Sequence, residues 1–548
     1  MPLKKRIQHI YEPNPLACGQ AVLAMLSGDS VESVISLVGT ERETKLSDMF
    51  AALDHYGIKY DKTRKQAFEV SDLPPVCILS LETPKCWHWS LYRDGIFYDP
   101  EYGVLSDFPP SARRYYFEIK ESSMKVYFYT LGCKVNQYES QAVAEQLAAA
   151  GYEIATNAAD ADIVIINSCT VTAESDRKTR QAVRRFKKAG STVLLMGCMP
   201  SAIPETAEAL PEADIVIGNT NYSVVPSLLE EFLRDKKRIV RVGKHKQGEA
   251  YCTPSITAFS ERTRAFMKIE DGCDRYCTYC LIPFARGPIR SRPLEDIKAE
   301  AKALAKNGFR EIVLVGINLT SYGKGEAYDI ADAVRAASVE GIERIRLGSL
   351  EPDHMSDELL RKLAAEPLFC PQFHLALQSG SDATLARMNR HYNTAFFADI
   401  VSRIRKSFAN SSITTDVMVG FPAESEENFS ESVRFIEKIG FARSHVFAYS
   451  KRSGTVAAGL PNQIPENEKN RRAKIMAAAA ARAEKAFLDS QVGLTEDVLF
   501  EQKNGDYFEG YTKNYTRVKV KSDLDLGGKI KNVRLISAEN DYCLGEII

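Results

Sequence analysis

Between Lys125 and Ser450 the chain alternates short apolar runs with longer amphipathic ones, and most of the apolar runs stop at a glycine or a polar residue. That alternation leaves few folds open: parallel strands joined by crossover helices. In such sheets the carboxyl ends of the strands share one edge, and ligands bind there. Residues just past the strand ends therefore carry most of the functional information. Strand 125–131 ends in Gly132-Cys133, strand 162–167 in Ser168-Cys169, and strand 192–196 in Gly197-Cys198. Helices follow over about 138–150 and from about 173, and a fourth strand covers 214–218. The expectation is a doubly wound parallel sheet over residues 123–245, with three thiols converging at its functional edge.

Residues 246–485 repeat the pattern with strands at 265–269, 311–315, 344–347, 373–377, 413–419 and 445–447. Six such units predict a partial (β/α)6 barrel with its working face at the carboxyl rim. That rim holds Gly316-Ile-Asn318, Ser349, Glu351 and Gln378, and the first strand runs into Asp271-Gly-Cys273-Asp-Arg-Tyr-Cys277-Thr-Tyr279-Cys280. Three thiolates at this spacing can wrap one metal centre but supply only three ligands. Structural zinc takes four, and a 4Fe–4S cube normally takes four thiolates. Three leave one iron open to a ligand. The plainer alternative is a zinc knuckle borrowing Cys252. Arg387 and Arg390 lie just beyond a rim loop, placed to meet RNA phosphate or solvent.

At 548 residues, roughly three or four domains are expected. The net charge of −1 leaves any nucleic-acid contact to local patches. The 12 cysteines cluster in motifs, which points to a reducing cytoplasm and to metal or catalytic use rather than a disulfide framework. The start, Met1-Pro-Leu-Lys-Lys-Arg, is basic but no apolar run follows, so it does not read as a secretory signal, and no run is long enough for a membrane span. After Cys169 come Arg177, Lys178, Arg180, Arg184, Arg185, Lys187 and Lys188, either a solvated helix face or a phosphate contact.

Residues 1–122 form a separate segment. Cys18 opens an apolar stretch with helical spacing, where a helix N-terminus favours thiolate. Further on, Trp87-His88 and Tyr98-Asp99 flank an Asp94-Gly95 turn and read as a hairpin that brings His88 near Asp99. Cys, His and Asp in this order resemble the papain-like cysteine peptidases of the bacteriocin-processing type, which implies a papain-like α+β module with Cys18, His88 and Asp99 as its triad. That family places a Gln six residues before the Cys. Here the position is Glu12, and an ionised Glu would repel an oxyanion. An active peptidase and a degenerate binding module both fit.

The tail, 486–548, alternates apolar and polar residues with turns at Asn504-Gly505 and Gly527-Gly528, and reads as a small β-barrel. Its stretch from Phe508 through Tyr511, Asn514, Tyr515 and Arg517 to Lys521 interleaves aromatics with cations, a pattern that suits unpaired nucleotides. The tail as a whole carries eight Lys/Arg against ten Asp/Glu, so any such binding is confined to one face.

The Cys273–Cys280 motif resembles the radical S-adenosylmethionine (SAM) enzymes. Leu131-Gly132-Cys133-Lys134-Val135-Asn136-Gln137-Tyr138-Glu139-Ser140, Asn167-Ser168-Cys169 and Gly197-Cys198 resemble the N-terminal domain of the radical-SAM methylthiotransferases, and the tail resembles their small RNA-binding (TRAM) barrel. The resemblance runs in family order from Met124 to the end. It implies two 4Fe–4S clusters, one on Cys273, Cys277 and Cys280 and one on Cys133, Cys169 and Cys198. Tyr279 is implied against the SAM adenine, Gly316 and Asn318 near its amino group, and Ser349, Glu351 and Gln378 toward the ribose, methionyl group or substrate. The implied reaction replaces an aromatic C–H by S–CH3, with tRNA as substrate, a low-potential electron donor such as flavodoxin or ferredoxin, and a sulfur donor. Lys134-Val135-Asn136 and the residues after it look like the relatives that modify N-6-threonylcarbamoyladenosine. The alternatives are isopentenyladenosine, a ribosomal-protein aspartate, or a non-catalytic RNA-binding protein with structural zinc.

Overall fold

The computed structural model describes residues 7–120, 123–259 and 263–548. Lys4, Lys5, Arg6 and residue 122, the expected end of the first segment, lie outside that range. The chain is multidomain α/β with a small β-barrel at its C-terminal end. Among the described residues no single helix is long and apolar enough to cross a membrane.

The first segment is an antiparallel sheet with the helices Cys18–Ser27, Val31–Val38 and Leu46–His55 packed together. Val22, Leu23, Leu26, Leu53, Ile78, Leu91 and Phe117 fill the core between helices and sheet. The expected hairpin forms from Trp87–Arg93 and Ile96–Asp99. Asp94 and Gly95 turn it at φ +46° and +89°, the left-handed pair that a two-residue hairpin of this kind demands.

The second segment holds six parallel strands. In spatial order they are Glu153–Ile154, Lys125–Thr130, Ile163–Ser168, Thr192–Gly197, Ile215–Ile217 and Ile239–Arg241. The first and last are too short to stand out in the sequence. The order reverses between Lys125–Thr130 and Ile163–Ser168, so Cys133 and Cys169 flank the crevice where such sheets bind ligands. The helix after Cys133 runs Lys134–Ala149, starting four residues before the expected 138. Cys133 itself is the extended N-cap, and the polar Lys134, Asn136 and Gln137 of the first turn hid that start.

The first segment meets this sheet at the opposite edge. Ser27–Asp29 and His55–Gly57 face Met124, Asp162 and Arg234 across a cleft.

The third segment carries two parallel sheets. One contains Arg264–Lys268, Glu311–Val315 and Arg344–Leu347. The other contains Ser349–Leu350, Gln372–Leu375, Ser412–Val419 and Arg443–Ala448. Gly348 interrupts what is otherwise one strand, so the whole is an open barrel of six β/α units. Its free edges are Arg264–Lys268 and Arg443–Ala448. Helix Lys134–Ala149 packs at the first edge, with Val135, Tyr138 and Ala142 belonging to the barrel core. Helix Glu466–Gln491 covers the second and continues past 485, placing Leu488 in the core of the tail barrel.

The tail closes as a five-stranded barrel. Its aromatic–cationic stretch is not a free nucleotide platform. Tyr511 and Tyr515 stack on each other at 4.6 Å, with the Arg264 guanidinium 4.8 and 5.0 Å from their rings. Arg344 donates to the Tyr511 carbonyl at 2.9 Å and Arg346 to that of Lys513 at 2.9 Å. The hairpin plugs the amino end of the large barrel, because the buried arginines at those strand starts need its carbonyl oxygens.

Candidate active site

Each three-cysteine set is built on turns that only glycine fits. A Cβ on Gly132 (φ +103°) would lie 2.7 Å from Cys169 Cβ, and one on Gly197 (φ +102°) 2.5 Å from Asn167 Oδ1. A Cβ on Gly272 (φ +91°) would lie 2.0 Å from the Pro288 carbonyl oxygen. Glycine before the cysteine lets each loop fold tightly enough for the sulfurs to gather.

The structure brings Cys133, Cys169 and Cys198 together. Burial pushes Cys198 up to about 12, and the Cys169 and Cys133 thiols add to this while Arg286 opposes it. Cys273, Cys277 and Cys280 likewise act on one another. Burial raises Cys280 to about 12 and Cys273 further, with the neighbouring thiols contributing. Among the described residues no three His, Cys, Asp or Glu side chains close around a single metal ion. Cys252, the possible fourth zinc ligand, donates instead to the Thr220 carbonyl at 2.9 Å.

One side chain links the first set to Asp271, two residues before the second. Arg286 is wholly buried; its Nε donates to Cys198 Sγ at 3.3 Å. Nη1 donates to Glu139 Oε1 at 2.7 Å and to Asp271 Oδ1 at 3.0 Å, and Nη2 to Glu139 Oε2 at 3.0 Å. Lys268 donates to the same two carboxylates, each at 2.7 Å, and Arg290 pairs with Asp271 at 3.3 Å. Burial works against both acids, but these cations outweigh it and hold Glu139 and Asp271 below the usual carboxylate range. Three cations face two carboxylates, and the surplus charge lies against Cys198. Arg286 opposes the effect of burial at Cys198 and so favours the thiolate that metal ligation requires. None of Arg286, Glu139 or Lys268 stood out in the sequence, since nothing in the spacing shows that residues 139 and 286 meet.

The rim residues divide. Asn318 is buried, with its Nδ2 unpartnered among the described residues, and its backbone N–H donates to Glu270 Oε2 at 2.8 Å. Gly316 has no room for a Cβ, which would lie 2.5 Å from that same Oε2. Burial pushes Glu270 up to about 8. Gln378 sits at φ +65°, a conformation non-glycine residues hold only when the surroundings enforce it. Ser349 is exposed. Tyr279 packs edge-on against Phe421, 6.3 Å between ring centroids. Glu351 is ion-paired with Arg390. Arg390 is not at the surface to meet RNA. It is buried, donating to Cys277 Sγ at 3.1 Å, because the Thr278 N–H and hydroxyl bind the carbonyls of Met388 and Arg387 and draw that turn under the motif. Arg387 donates to Asn428 Oδ1 at 3.0 Å. On helix Ala173–Lys188 the basic side chains line the solvent face, with Arg184 and Lys187 paired to Glu212 and Asp214.

In the first segment Cys18 is the first residue of its helix and accepts from the Trp89 N–H at 3.3 Å. His88 Nε2 lies 3.0 Å from Asp99 Oδ1, both side chains buried. Burial disfavours the charged imidazole, but the bond to Asp99 and the adjoining Cys18 thiol outweigh it and raise His88 to about 10. Glu12 lies close enough to feel His88 and Asp99, and burial raises its pKa.

Comparison with known proteins places this geometry. Residues 125–218 match the model of a family described as uncharacterized protein family UPF0004, and residues 267–436 match the radical SAM superfamily. Neither reaches the first 124 residues. Threonylcarbamoyladenosine tRNA methylthiotransferase MtaB of Bacillus subtilis is 36% identical over 433 residues, covering 77% of this chain and 96% of that protein. The tRNA-2-methylthio-N(6)-dimethylallyladenosine synthase of Caldicellulosiruptor saccharolyticus is 32% identical over 476 residues, 83% of this chain and 99% of that one. A solved radical S-adenosylmethionine methyltransferase, TsrM from Kitasatospora setae, aligns at 12% identity and a TM-score of 0.46, over 62% of this chain and 77% of that one. The chain belongs to the radical SAM methylthiotransferase family.

Proposed function

We propose that this enzyme 2-methylthiolates N-6-threonylcarbamoyladenosine beside the anticodon of tRNA, in the cytoplasm. The observation that carries the reading is the pair of three-cysteine sets, with Arg286 reaching from Cys198 of one to Asp271, just before Cys273 of the other. Cys273, Cys277 and Cys280 would hold one 4Fe–4S cluster and Cys133, Cys169 and Cys198 a second. Bound SAM and the two clusters supply the radical, the sulfur and the methyl group. Asn318 offers its unpartnered amide and Gly316 a close backbone approach to SAM, while Ser349 and Gln378 line the same rim and Tyr279 borders it. Glu351 serves through Arg390, fixing the guanidinium against Cys277. A low-potential electron donor such as flavodoxin or ferredoxin and a sulfur donor complete the requirements. Expression in a strain lacking its own enzyme, with mass spectrometry of tRNA nucleosides, tests this. The methylthio derivative should appear with the wild type and vanish with Cys273→Ala; threonylcarbamoyladenosine left unchanged by the wild type sinks the substrate.

For residues 1–122 the Cys18, His88 and Asp99 arrangement supports a papain-like thiol module. An electrophilic thiol probe should label Cys18 in the wild type and much less in His88→Gln; equal labelling of wild type and Cys18→Ala would argue against a reactive thiol.

A further inference from the structure

The large barrel has a cationic floor that the reaction itself does not require. Arg264, Arg344 and Arg346 stand at or near the amino ends of their strands and share one buried carboxylate, Glu311, at 4.0, 3.7 and 3.0 Å. Glu501 of the tail takes Arg264 at 2.6 Å. Lys134 is added from the side, at the start of the helix that packs on the free Arg264–Lys268 edge. Its ammonium lies 5.8 Å from the Phe266 ring centroid, and its electrostatic neighbours are Tyr515, Arg264, Arg346 and Glu311. Lys134 is exposed to solvent. Among the described residues no carboxylate lies within ion-pair distance of it. The arginines are balanced by Glu311, Glu501 and, on the Arg344 side, Asp497, and Lys134 adds a fourth cation outside any ion pair among the described residues.

The surroundings of these cations are polar as well. Tyr515 forms part of the floor, with Arg346 4.6 Å from its ring, held at φ +68° by the buried Thr512, Asn514 and Thr516. Burial pushes its phenol up, yet Arg264, Lys134 and Arg346 outweigh this and lower it, an independent sign of surplus positive potential. On the far wall His374 pairs with Asp416 at 3.3 Å, and His445 stands opposite Asp416 in the strand register, 6.1 Å from the His374 ring.

We propose that this floor, with Lys134 as its free cation, is a carboxylate-binding subsite for the acidic substituent on the purine that the enzyme modifies. It rests on the threonylcarbamoyladenosine reading above and deepens it. The hairpin closes the amino end of the barrel over Arg344 and Arg346, which leaves Lys134 as the cation open to a group of the substrate. A hydrocarbon substituent would leave Lys134 without a partner, so the contact favours the acid over it.

The test uses the holoenzyme and two probes: the free nucleoside N-6-threonylcarbamoyladenosine and its neutral methyl ester. Wild type should bind the acid roughly tenfold or more tighter than the ester, since a charge-assisted contact is worth about that factor. Lys134→Met should lose the preference at unchanged iron content, and Lys134→Arg should keep most of it. Equal binding of acid and ester by wild type, or an undiminished preference in Lys134→Met, overturns the subsite. A wrong nucleoside looks different: wild type would leave threonylcarbamoyladenosine in tRNA untouched, and that result also removes the subsite's ligand.

Discussion

Single residues here are fixed by what has no room to change. Gly272 is a sharp case, because backbone rather than a flexible side chain occupies the space of its missing Cβ. Gly272→Ala should lower iron per chain by about the content of one cluster, while Gly459→Ala, where a Cβ meets nothing within 4 Å, should not. Metal analysis of the purified proteins distinguishes them. The His88–Asp99 pair makes a prediction in pH. The folded imidazole is raised to about 10 from an ordinary value near 6.5. Its stabilisation is therefore complete below about pH 6.5 and is lost as pH rises toward 10. Melting of the wild type should fall over that window more steeply than melting of His88→Gln; parallel curves would refute the pairing.

Among elements, helix Lys134–Ala149 does most to set the geometry. It begins at a cysteine of one set, buries Val135, Tyr138 and Ala142 in the barrel core, and sends Glu139 into the network around Arg286. Glu139→Ala leaves Arg286 and Lys268 buried with one carboxylate between them, a loss of about 3–5 kcal/mol for a broken buried pair. Thermal unfolding should show it as a marked drop in melting temperature. The strands and both cysteine sets were legible in the sequence, because apolar runs ending in glycine–cysteine turns announce themselves locally. Glu139, Arg286 and Arg390 were not, because Glu139 meets Arg286 and Arg390 meets Cys277 across more than 100 residues, and each looks like a surface charge in its own segment. Tyr511 and Tyr515 misled for the same reason. Aromatics beside cations look alike whether the partner is a base or another domain's arginine.

On the scale of the whole molecule, the tail barrel is a structural stopper. Deleting residues 493–548 would strip Arg344 and Arg346 of the carbonyls of Asp497, Tyr511 and Lys513. Each guanidinium left without its acceptors costs on the order of 1–3 kcal/mol. The truncated chain should melt well below the full one or fail to stay soluble. A truncation that retained the full melting temperature and lost only RNA affinity would show the tail to be a simple appendage.

The first segment sits at the amino edge of the sheet whose carboxyl edge carries Cys133, Cys169 and Cys198. The 6-residue strand Ile163–Ser168 alone spans about 20 Å at roughly 3.3 Å per residue. Nothing on Cys18 can be handed to Cys169 in one step. Tethering the two modules therefore fixes their dosage rather than their chemistry: every translated chain delivers both, one for one.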